Sequence, residues 1–506
     1  MKRVSDSFLS PIAFDRSVTT PIYRQLYDWI RGAILDGRMR PGQRVPSTRA
    51  LAVELKISRI PVLNAYEQLL AEGYLESFAG AGTSVARLIP DESLRPAAGK
   101  AGKEASANPE QRGPRRISQR GAALVQTPVE SGLSILGAFR VSLPALDQFP
   151  LDLWSKLSVR HSRKLSVSAM GYGDAMGYLP FREAIAEYLG ASRAVRCDPS
   201  QIMVTTGSQQ ALQICAHVLL DPGDRICMEE PGYPGARNAF VASGAKVVTA
   251  GVDEEGMDVP RFIRRKGSAR VVYITPSHQY PTGMTMSAAR RIALLQWAAE
   301  AGAWVIEDDY DSEYRFASRP VASLQGLDTA GRVIYIGTFS KVLFPALRLG
   351  YLVVPRDLVP AFAAAREASD IFSSTFYQLV MTDFIREGHF ARHIRRMRML
   401  YMERRTALVE AIQDEMPNLL EVIGAEAGMH LVALLPRRVD DVAVARAAAA
   451  VGISVVPLSA CSAKPPVRGG LIFGYGGVNE DQIHAGILRL KTCFPSGSHS
   501  NGIRRK

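Results

Sequence analysis

Apolar positions in the first quarter of the chain recur at helical spacing and predict three short helices followed by two short strands. The first helix begins near Pro21. Ser47 and Ser58 each precede a further helical pattern, as expected of residues that cap a helix N-terminus. A glycine turn that ends at Gly82 separates the two strands. Two closely joined helices followed by a hairpin predict a winged helix-turn-helix, which we assign to residues 1–87.

Beyond residue 130, near-continuous apolar runs alternate with helical patterns. The runs begin at Ile202, Arg225, Val271, Trp304, Val333 and Leu349. Strands of this kind are buried on both faces, so they predict an α/β domain with a mostly parallel sheet over residues 131–494. The intervening residues 88–130 are rich in Ala, Gly, Pro, Ser and charged side chains and predict a flexible linker. The polar residues 495–506 predict a disordered tail.

Charge adds a hint about the partner of the first quarter. The chain has a net charge of +12, and residues 1–130 contribute 19 basic against 13 acidic side chains. A basic segment favours a polyanionic partner. The apolar runs are too short for a transmembrane helix, and the start lacks the apolar stretch of a secretory signal. The five cysteines form no CxxC pair, which is typical of reduced thiols. We therefore expect a cytoplasmic protein with no membrane partner.

The N-terminal motifs occur in a familiar order, from Pro41-Gly-Gln-Arg-Val-Pro-Ser-Thr-Arg through Ser58-Arg to Ala65-Tyr-Glu-Gln-Leu-Leu. This stretch resembles the GntR family of winged-helix repressors, which implies binding to double-stranded DNA. The resemblance implies DNA contacts by Arg44, Ser47, Arg49, Ser58, Arg59, Asn64 and Gly82. The family has a polar pair where this chain has Ile60-Pro61, so base recognition there is expected to differ. A generic three-helix packing module is the alternative.

The strongest chemical signal is Lys341, in the sequence Thr338-Phe-Ser-Lys directly after an apolar strand. A lysine that forms an imine with an aldehyde must be held uncharged and aimed. A buried turn at a strand end favours both, because desolvation disfavours the ammonium. Arg348, seven residues further on, offers a planar fork for a phosphate dianion. A structural lysine in a core turn is the alternative.

A cluster of carboxylates follows the strand that begins at Trp304. A carboxylate at the end of a buried strand is costly unless it is paired, and a protonated pyridine nitrogen is a suitable partner. We assign this role to Asp308, with Asp309 as the substitute if the register shifts by one residue, and we assign Tyr310 to the ring 3′-oxygen. A solvated loop or helix N-terminus is the alternative.

Other strand-end loops extend the pattern. Gly207-Ser-Gln opens a helix N-terminus that suits a phosphate, and Tyr233 follows another strand and could stack on a pyridine ring. In this order the loops resemble fold-type I aminotransferases of the kynurenine/aminoadipate branch. That resemblance implies pyridoxal 5′-phosphate (PLP) as cofactor, a small α+β C-terminal subdomain and a homodimer whose sites lie between subunits. It implies an aldimine on Lys341 and further cofactor contacts by Ser208, Gln209, Tyr233, Tyr280, Asp308, Tyr310, Thr338, Ser340 and Arg348.

Two features depart from the aminotransferase pattern, and a third bears on a possible metal site. Tyr280 stands where most aminotransferases have Asn, which alters the contact to the 3′-oxygen. The strand Gly470-Leu-Ile-Phe-Gly-Tyr lacks the family's carboxylate-binding arginine, and Arg468 is close but off-register, which weakens the expectation of a conventional amino-acid substrate. His389 and His393 have the spacing of a zinc pair without the intervening carboxylate, so we predict a solvated or dimer-facing basic helix and no metal site.

The order of winged helix-turn-helix, linker and aminotransferase-like domain resembles the MocR/GabR subfamily of GntR regulators. It implies a transcriptional regulator that binds two operator half-sites and senses a small amine, an amino acid or PLP itself through the aldimine on Lys341. The large domain is then expected to serve sensing, with at most vestigial transaminase activity. An active aminotransferase with an accessory DNA-binding domain is the second hypothesis, and a DNA-binding protein with a purely dimerising large domain is the third.

Overall fold

The computed structural model describes residue 14 and the ranges 19–78, 82–88, 117–126, 137–265, 267–316, 322–424 and 426–494. The chain divides into two compact units, residues 1–115 and residues 116–506. Most of the predicted linker and the whole predicted tail lie outside the described residues. Within the span assigned to the linker, the structure contains a helix, Gln119–Gln126, which the sequence did not predict.

The first unit contains the three predicted helices and the predicted hairpin. Its elements are α1 (Ile22–Leu35), α2 (Thr48–Glu54), α3 (Arg59–Ala71), β1 (Leu75–Phe78) and β2 (Gly82–Val85). The two strands pair antiparallel. Leu26 of α1 and Val62 and Leu69 of α3 are fully buried in one core, as their helical spacing predicts. Leu51 of α2 belongs to the same core, so the buried sides of α2 and α3 are fixed and their other sides face outwards.

The second unit is built around an eight-stranded sheet in the order β3-β10-β9-β8-β7-β4-β5-β6. Its strands are β3 (Ile202–Thr205), β4 (Arg225–Glu230), β5 (Lys246–Asp253), β6 (Gly256–Met257), β7 (Val271–Ile274), β8 (Trp304–Asp309), β9 (Val333–Thr338) and β10 (Gly350–Val353). The five strands from β9 to β5 run parallel, while β10 and β6 run antiparallel to their neighbours. The prediction of a mostly parallel α/β sheet is confirmed.

Helices cover both faces of this sheet. In the described part of the second unit the α-helices are α4 (Gln119–Gln126), α5 (Leu151–Arg163), α6 (Val167–Met170), α7 (Leu179–Arg193), α8 (Ser208–Leu219), α9 (Pro234–Ser243), α10 (Val259–Arg264), α11 (Ala288–Ala301), α12 (Leu324–Leu327), α13 (Val359–Ser369), α14 (Thr375–Arg386), α15 (His389–Glu415), α16 (Asp441–Ala450) and α17 (Glu480–Lys491), of which α16 and α17 pack on the smaller C-terminal sheet. Ile306 of β8 packs with α8 and α9 on one face, whereas Val305 packs with α10 and α11 on the other. Successive residues of β8 therefore face opposite layers.

A smaller antiparallel sheet lies towards the C-terminal end of the chain. Its strands are β11 (Glu421–Ile423), β12 (His430–Leu434), β13 (Val456–Pro457) and β14 (Gly470–Gly474), in the order β11-β12-β14-β13. Leu431 and Phe473 of this sheet share a hydrophobic core with Leu408 of α15 and Ile487 of α17. This is the α+β subdomain that the resemblance to aminotransferases implies.

A buried ion pair joins α7 to the central strand β8. The Arg193 side chain is almost fully buried, and its Nη2 and Nε lie 2.7 and 2.8 Å from Oδ2 of Asp309. The Tyr335 hydroxyl donates to the same oxygen at 2.7 Å. Removing one partner of such a pair leaves an uncompensated buried charge, which costs more than the pair itself contributes.

We expect Arg193→Ala to lower the free energy of unfolding of the large unit by about 3–5 kcal/mol, because Asp309 loses its cation inside the core. Chemical denaturation of cofactor-free protein measures this loss. Arg386→Ala is the matched control, since Arg386 pairs with Glu183 on the surface. Equal destabilisation by the two variants would show that the buried pair is not a special contributor.

Candidate functional site

Four loops that follow strands of the large sheet meet at one edge. They follow β3, β7, β8 and β9 and carry, respectively, Ser208, Tyr280, Tyr310 and Lys341, while Asp308 lies near the end of β8 itself. The carboxyl ends of parallel strands open onto a common crevice, which is where ligands bind in open α/β sheets. The sheet thus brings together residues that are far apart in sequence.

Lys341 is partly buried within this crevice. Its Nζ lies 3.5 Å from the main-chain oxygen of Ser142, in the segment that precedes α5. The charge of Lys341 acts on two groups of the crevice, Asp308 and His430, and contributes to lowering the pKa of each. Lys341 therefore shares one electrostatic environment with the carboxylate at the end of β8 and with the first residue of β12.

Asp308 has a buried oxygen with no protein partner. Its Oδ2 accepts a hydrogen bond from Tyr273 at 2.8 Å, but Oδ1 is buried and has no hydrogen-bond partner among the described residues. Burial raises the pKa of Asp308 to about 7, against the lowering effects of Tyr273 and Lys341. Such a carboxylate requires a cationic or hydrogen-bonding partner to remain ionised.

Asp309, the alternative to Asp308, is already occupied. It points to the opposite side of β8 and is held by Arg193 and Tyr335. Since adjacent residues of a strand face opposite ways, only one of the two aspartates can face the crevice. The structure places Asp308 there.

The opposite part of the crevice offers an anion cradle. Gly207 precedes α8 with a φ of +118°, and a Cβ at this position would lie 3.5 Å from Nη1 of Arg348. The first N–H groups of α8, including those of Ser208 and Gln209, point out of the helix beside this arginine, as they do at any helix N-terminus. The combination of a helix N-terminus and a guanidinium fits a phosphate dianion.

Other predicted phosphate contacts have protein partners already. The Gln209 amide donates to the main-chain oxygen of Gly235 at 3.0 Å, so the main-chain N–H of Gln209 is the group left for a phosphate. Thr338 Oγ1 accepts from the N–H of Ser340 at 3.2 Å. That hydrogen bond shapes the turn between β9 and Lys341.

Aromatic rings line one side of the crevice. The rings of Tyr233 and Tyr280 meet edge to face at 5.4 Å, and Tyr280 lies 6.1 Å from Tyr310. The His430 ring stacks on Tyr310 at 6.4 Å and is 5.4 Å from Tyr280. Burial lowers the pKa of His430 to about 4, so this ring is neutral near pH 7. All three predicted tyrosines belong to this one cluster.

The sequence analysis missed a buried His–Asp pair next to this cluster. Nδ1 of His278 lies 3.0 and 3.1 Å from the two carboxylate oxygens of Asp311, and 3.0 Å from the hydroxyl of Tyr310. Both residues are almost fully buried. They stand 33 positions apart, after different strands. The sequence does contain a hint of this pair. His278 lies two positions before Tyr280 and Asp311 directly follows Tyr310, in two loops that were expected to meet.

Gly470 stands in β14 where the aminotransferase family has its carboxylate-binding arginine. A Cβ at Gly470 would meet the main-chain oxygen of Ala433 at 3.1 Å and the side chains of Leu458 and Leu434 at 3.3 and 3.4 Å. Arg468 bonds to the main-chain oxygen of Leu435 and pairs with Glu421 at the surface. Arg468 therefore does not replace the missing arginine of β14.

The histidines of α15 do not form a zinc pair. His393 is buried and its Nε2 bonds to the main-chain oxygen of Val342 at 3.1 Å, while His389 contacts Arg392 and Glu387. Burial lowers the pKa of His393 to about 4. The prediction of a solvated or dimer-facing helix is therefore wrong at His393, which packs into the core because the helix lies against the domain along its whole length.

His278, Asp311 and His430 offer three ligand atoms within 4.8 Å of one another, a set that the sequence analysis did not consider. Hydrogen bonds already account for most of these atoms. Nδ1 of His278 is bonded to Asp311, and Nε2 of His430 lies 3.0 Å from the main-chain oxygen of Pro281. These hydrogen bonds engage two of the ring nitrogens that a metal ion would otherwise use.

In the first unit, the residues predicted to contact DNA lie on or beside α2 and α3. Ser47 caps α2 through a hydrogen bond from the N–H of Ala50 at 3.2 Å. Ser58 occupies the N-cap position of α3, but its side chain makes no capping bond and remains exposed. Nε of Arg59 donates to Oγ1 of Thr48 at 3.3 Å, which links the start of α3 to α2.

The remaining predicted DNA contacts are also at the surface. Exposed side chains or backbone are found at Arg44, Arg49, Asn64 and Gly82. Arg44 pairs with Ser84 in an isolated bridge at the base of the hairpin, whose second strand begins at Gly82. A basic, exposed face formed by two short helices and a hairpin suits a DNA duplex.

Comparison with known proteins matches both units. Residues 22–85 match the family of bacterial regulatory proteins of the gntR type, and residues 147–472 match aminotransferase class I and II. The chain is 40% identical to the probable rhizopine catabolism regulatory protein MocR of Rhizobium meliloti, over 96% of both chains. It is 31% identical to the pyridoxine biosynthesis transcriptional regulator PdxR of Corynebacterium glutamicum, over 96% of this chain and 99% of that one.

The chain belongs to the MocR/GabR subfamily of GntR regulators. Its large unit also resembles LysN, the α-aminoadipate aminotransferase of Thermus thermophilus, solved in complex with N-(5′-phosphopyridoxyl)-L-leucine. The two share 29% identity with a TM-score of 0.69, over 74% of this chain and 96% of that one. Within the ranges described for this MocR-type regulator, no helix is both long and apolar enough to cross a membrane.

The crevice of this MocR-type regulator fits PLP at both ends. The buried, unpaired Oδ1 of Asp308 suits a protonated pyridine nitrogen, and the cradle of Gly207 and Arg348 suits the phosphate. Lys341 is the lysine that follows β9 in the same crevice. When bound, the cofactor would supply an electrophilic aldehyde carbon, and the protein residues would orient and hold it.

We expect Asp308→Asn to weaken PLP binding about 10- to 100-fold, since it removes a charge-assisted hydrogen bond of about 1.5–3 kcal/mol. A PLP titration followed by visible absorbance measures the change. Asp357→Asn, an exposed aspartate of the same unit, is the control. Unchanged affinity in Asp308→Asn would exclude Asp308 as the partner of the pyridine nitrogen.

Proposed function

We propose that this protein is a PLP-dependent transcriptional regulator that senses a small amine at Lys341. The observation that carries the proposal is the buried Oδ1 of Asp308, which has no protein partner in the crevice that holds Lys341. A purely dimerising domain has no need of an ionisable group left unsatisfied in its core. The two ends of the crevice support the same cofactor, because the Arg348 cradle suits its phosphate.

The sensing step follows from the chemistry of a lysine-bound aldehyde. An amine that enters the crevice would take the place of the Lys341 amine on the cofactor. PLP would then no longer be covalently attached to the turn that follows β9. Such a release shifts the balance between conformations only if the ligand binds one of them better. The effector would therefore act by binding one conformation more tightly than the other. The resulting change in conformation would be measured as a change in DNA affinity.

The first unit would bind a DNA operator. The exposure of Ser47, Arg49 and Arg59 supports this, as does the match of residues 22–85 to the gntR family. Two half-sites are expected if the protein is a homodimer, since dimerisation raises the effective concentration of the second DNA-binding unit. Exposed apolar side chains at Val167, Met170 and Tyr172 support a subunit interface on the large unit.

An active aminotransferase is the second candidate, favoured by the presence of Lys341, Asp308 and Arg348 in one domain of the aminotransferase fold. The glycine at position 470 of β14 and the engagement of Arg468 by Leu435 and Glu421 argue against a conventional amino-acid substrate. Steady turnover of an amino donor with 2-oxoglutarate would support the enzyme. Stoichiometric amine exchange without turnover would support the sensor.

We expect Lys341→Ala to abolish the absorbance band at about 420 nm that a PLP–lysine link gives, because Lys341 is the amine assigned to form this link. The variant should still bind DNA but lose any response of DNA binding to added amines. Visible spectra and DNA titrations of wild type and variant, with and without amines, test both parts. Identical spectra would rule out Lys341 as the attachment point.

A further inference from the structure

The second ring nitrogen of His278, Nε2, has no role in the His278–Asp311 pair. This nitrogen is buried and, like Oδ1 of Asp308, has no hydrogen-bond partner among the described residues. The His278 side chain is 2% exposed. An unpaired buried polar atom costs free energy, so two of them beside the crevice that holds Lys341 point to a ligand that satisfies both.

The orientation of the His278 ring is fixed from several sides. Asp311 holds Nδ1 at 3.0 Å, and Asp311 itself accepts from the N–H of Met429 at 3.3 Å. Gly428, with a φ of +82°, lies so close that a Cβ there would clash with the His278 ring. The ring also lies 4.9 Å from the His430 ring and 5.8 Å from that of Tyr310. The ring cannot turn without breaking this packing.

The bond to Asp311 decides what Nε2 can do. An ionised carboxylate only accepts hydrogen bonds, so Nδ1 carries the proton. Nε2 is then an acceptor when the ring is neutral and a donor when the ring is protonated. A hydroxyl group both donates and accepts, so it pairs with Nε2 in either state, whereas a carboxylate or an ammonium pairs with only one of them.

We propose that His278, oriented by Asp311, binds a hydroxyl oxygen of the molecule that lies over Lys341. This oxygen is either the ring hydroxyl of PLP or a hydroxyl of the effector amine. The ring hydroxyl is favoured because Tyr310 is assigned to the same oxygen and its ring lies 5.8 Å from the His278 ring. The proposal rests on PLP binding at Lys341, as proposed above.

The test uses the full-length protein loaded with PLP. His278→Phe keeps a ring and removes both nitrogens, and Asp311→Asn is the second variant should the first fail to fold. His161→Phe is the control for loss of a His–Asp pair elsewhere in the unit, because His161 pairs with Asp383 at 2.8 Å between α5 and α14, at a partly exposed position. Visible spectra at one fixed pH are followed by titrations with 2-aminoethanol and propylamine, which differ by a hydroxyl in place of a methyl group.

If the oxygen belongs to PLP, His278→Phe and Asp311→Asn change the ratio of the absorbance bands and weaken PLP binding about 3- to 10-fold, as for one lost hydrogen bond. If it belongs to the effector, the spectra stay unchanged, but the wild-type preference for 2-aminoethanol over propylamine disappears in the variants. Unchanged spectra together with unchanged amine preference would overturn the proposal. A wild type without a PLP–lysine band would instead contradict the proposed function, and this site with it.

A separate observation concerns the exposed face of α3. Val62, Ala65 and Leu69 are buried in the core of the first unit, so the opposite face of the helix is directed outwards. On that face Ile60 is 68% exposed and Leu63 is 38% exposed. These side chains follow Arg59, at the end of the helix that a helix-turn-helix presents to the major groove.

We infer that Ile60 and Leu63 contact thymine methyl groups in the operator. The thymine methyl is the apolar group that base edges present in the major groove, and aliphatic side chains are its usual partners. An apolar pair at this position would otherwise meet only polar base edges and would weaken binding. The inference rests on DNA binding by the first unit and accounts for the departure from the polar pair of the GntR family.

The preferred duplex is first selected by the full-length protein from random-sequence DNA. Each thymine of that duplex is then replaced by deoxyuracil, which keeps base pairing and removes only the methyl group. At one or two positions the replacement should weaken wild-type binding about fourfold, the equivalent of about 0.8 kcal/mol for one buried methyl group.

The same replacement should have no effect on Ile60→Ala or on Leu63→Ala, whichever contacts that base. In Val53→Ala, which shortens an exposed apolar residue of α2, the effect should persist. Wild-type binding that is indifferent to every deoxyuracil, or a deoxyuracil effect that survives both α3 substitutions, would overturn the inference. A selection that yields no preferred duplex would contradict DNA recognition itself.

Discussion

The proposed cofactor site in the large unit depends on the buried carboxylate of Asp308. Asp308 lies at the end of a buried strand, in surroundings that raise its pKa to about 7, and one of its oxygens has no protein partner. Burying a carboxylate is unfavourable unless a cation or a donor meets it. The protein provides Tyr273 for one oxygen and leaves the other for a ligand. The proposed PLP would be a common ligand of this oxygen, of Lys341 and of the Arg348 cradle.

Neighbouring side chains of β8 face opposite sides of the sheet, and this places the two adjacent aspartates in different surroundings. Asp309 faces one layer and pairs with Arg193, while Asp308 faces the crevice. A shift of register by one residue would exchange the two, placing the unpaired carboxylate in the core and the paired one at the cofactor. The ion pair with Arg193 therefore stabilises the fold and also keeps Asp308 in its place.

The sequence was sufficient to predict the two-part architecture and the start of several central strands, whereas the roles of the site residues remain predictions. The strands read from Ile202, Val271 and Val333 begin at those residues in the structure, because buried parallel strands are strongly marked by continuous apolar runs. The choice between Asp308 and Asp309 needed the structure, since both follow the same strand. The His278–Asp311 pair was not predicted, because no local pattern connects residues from two separate loops.

Smaller differences have equally local causes. Ser58 stands at the N-cap of α3 without a capping bond, and the Gln209 side chain bonds to Gly235 instead of remaining available for phosphate. His393 lies in the core although it belongs to a basic stretch of sequence. For Gln209 and His393 the neighbour that decides the outcome comes from another part of the chain, Gly235 and Val342 respectively, which composition and spacing do not reveal.

The most direct measurement is the identity of the lysine that carries the cofactor. Reduction of the PLP-loaded protein with borohydride fixes any imine permanently, and peptide mass spectrometry then locates the phosphopyridoxyl group. The account predicts this group on Lys341 and its release from that position when an effector amine is added before reduction. A label on surface lysines alone, or no label at all, would contradict the central claim.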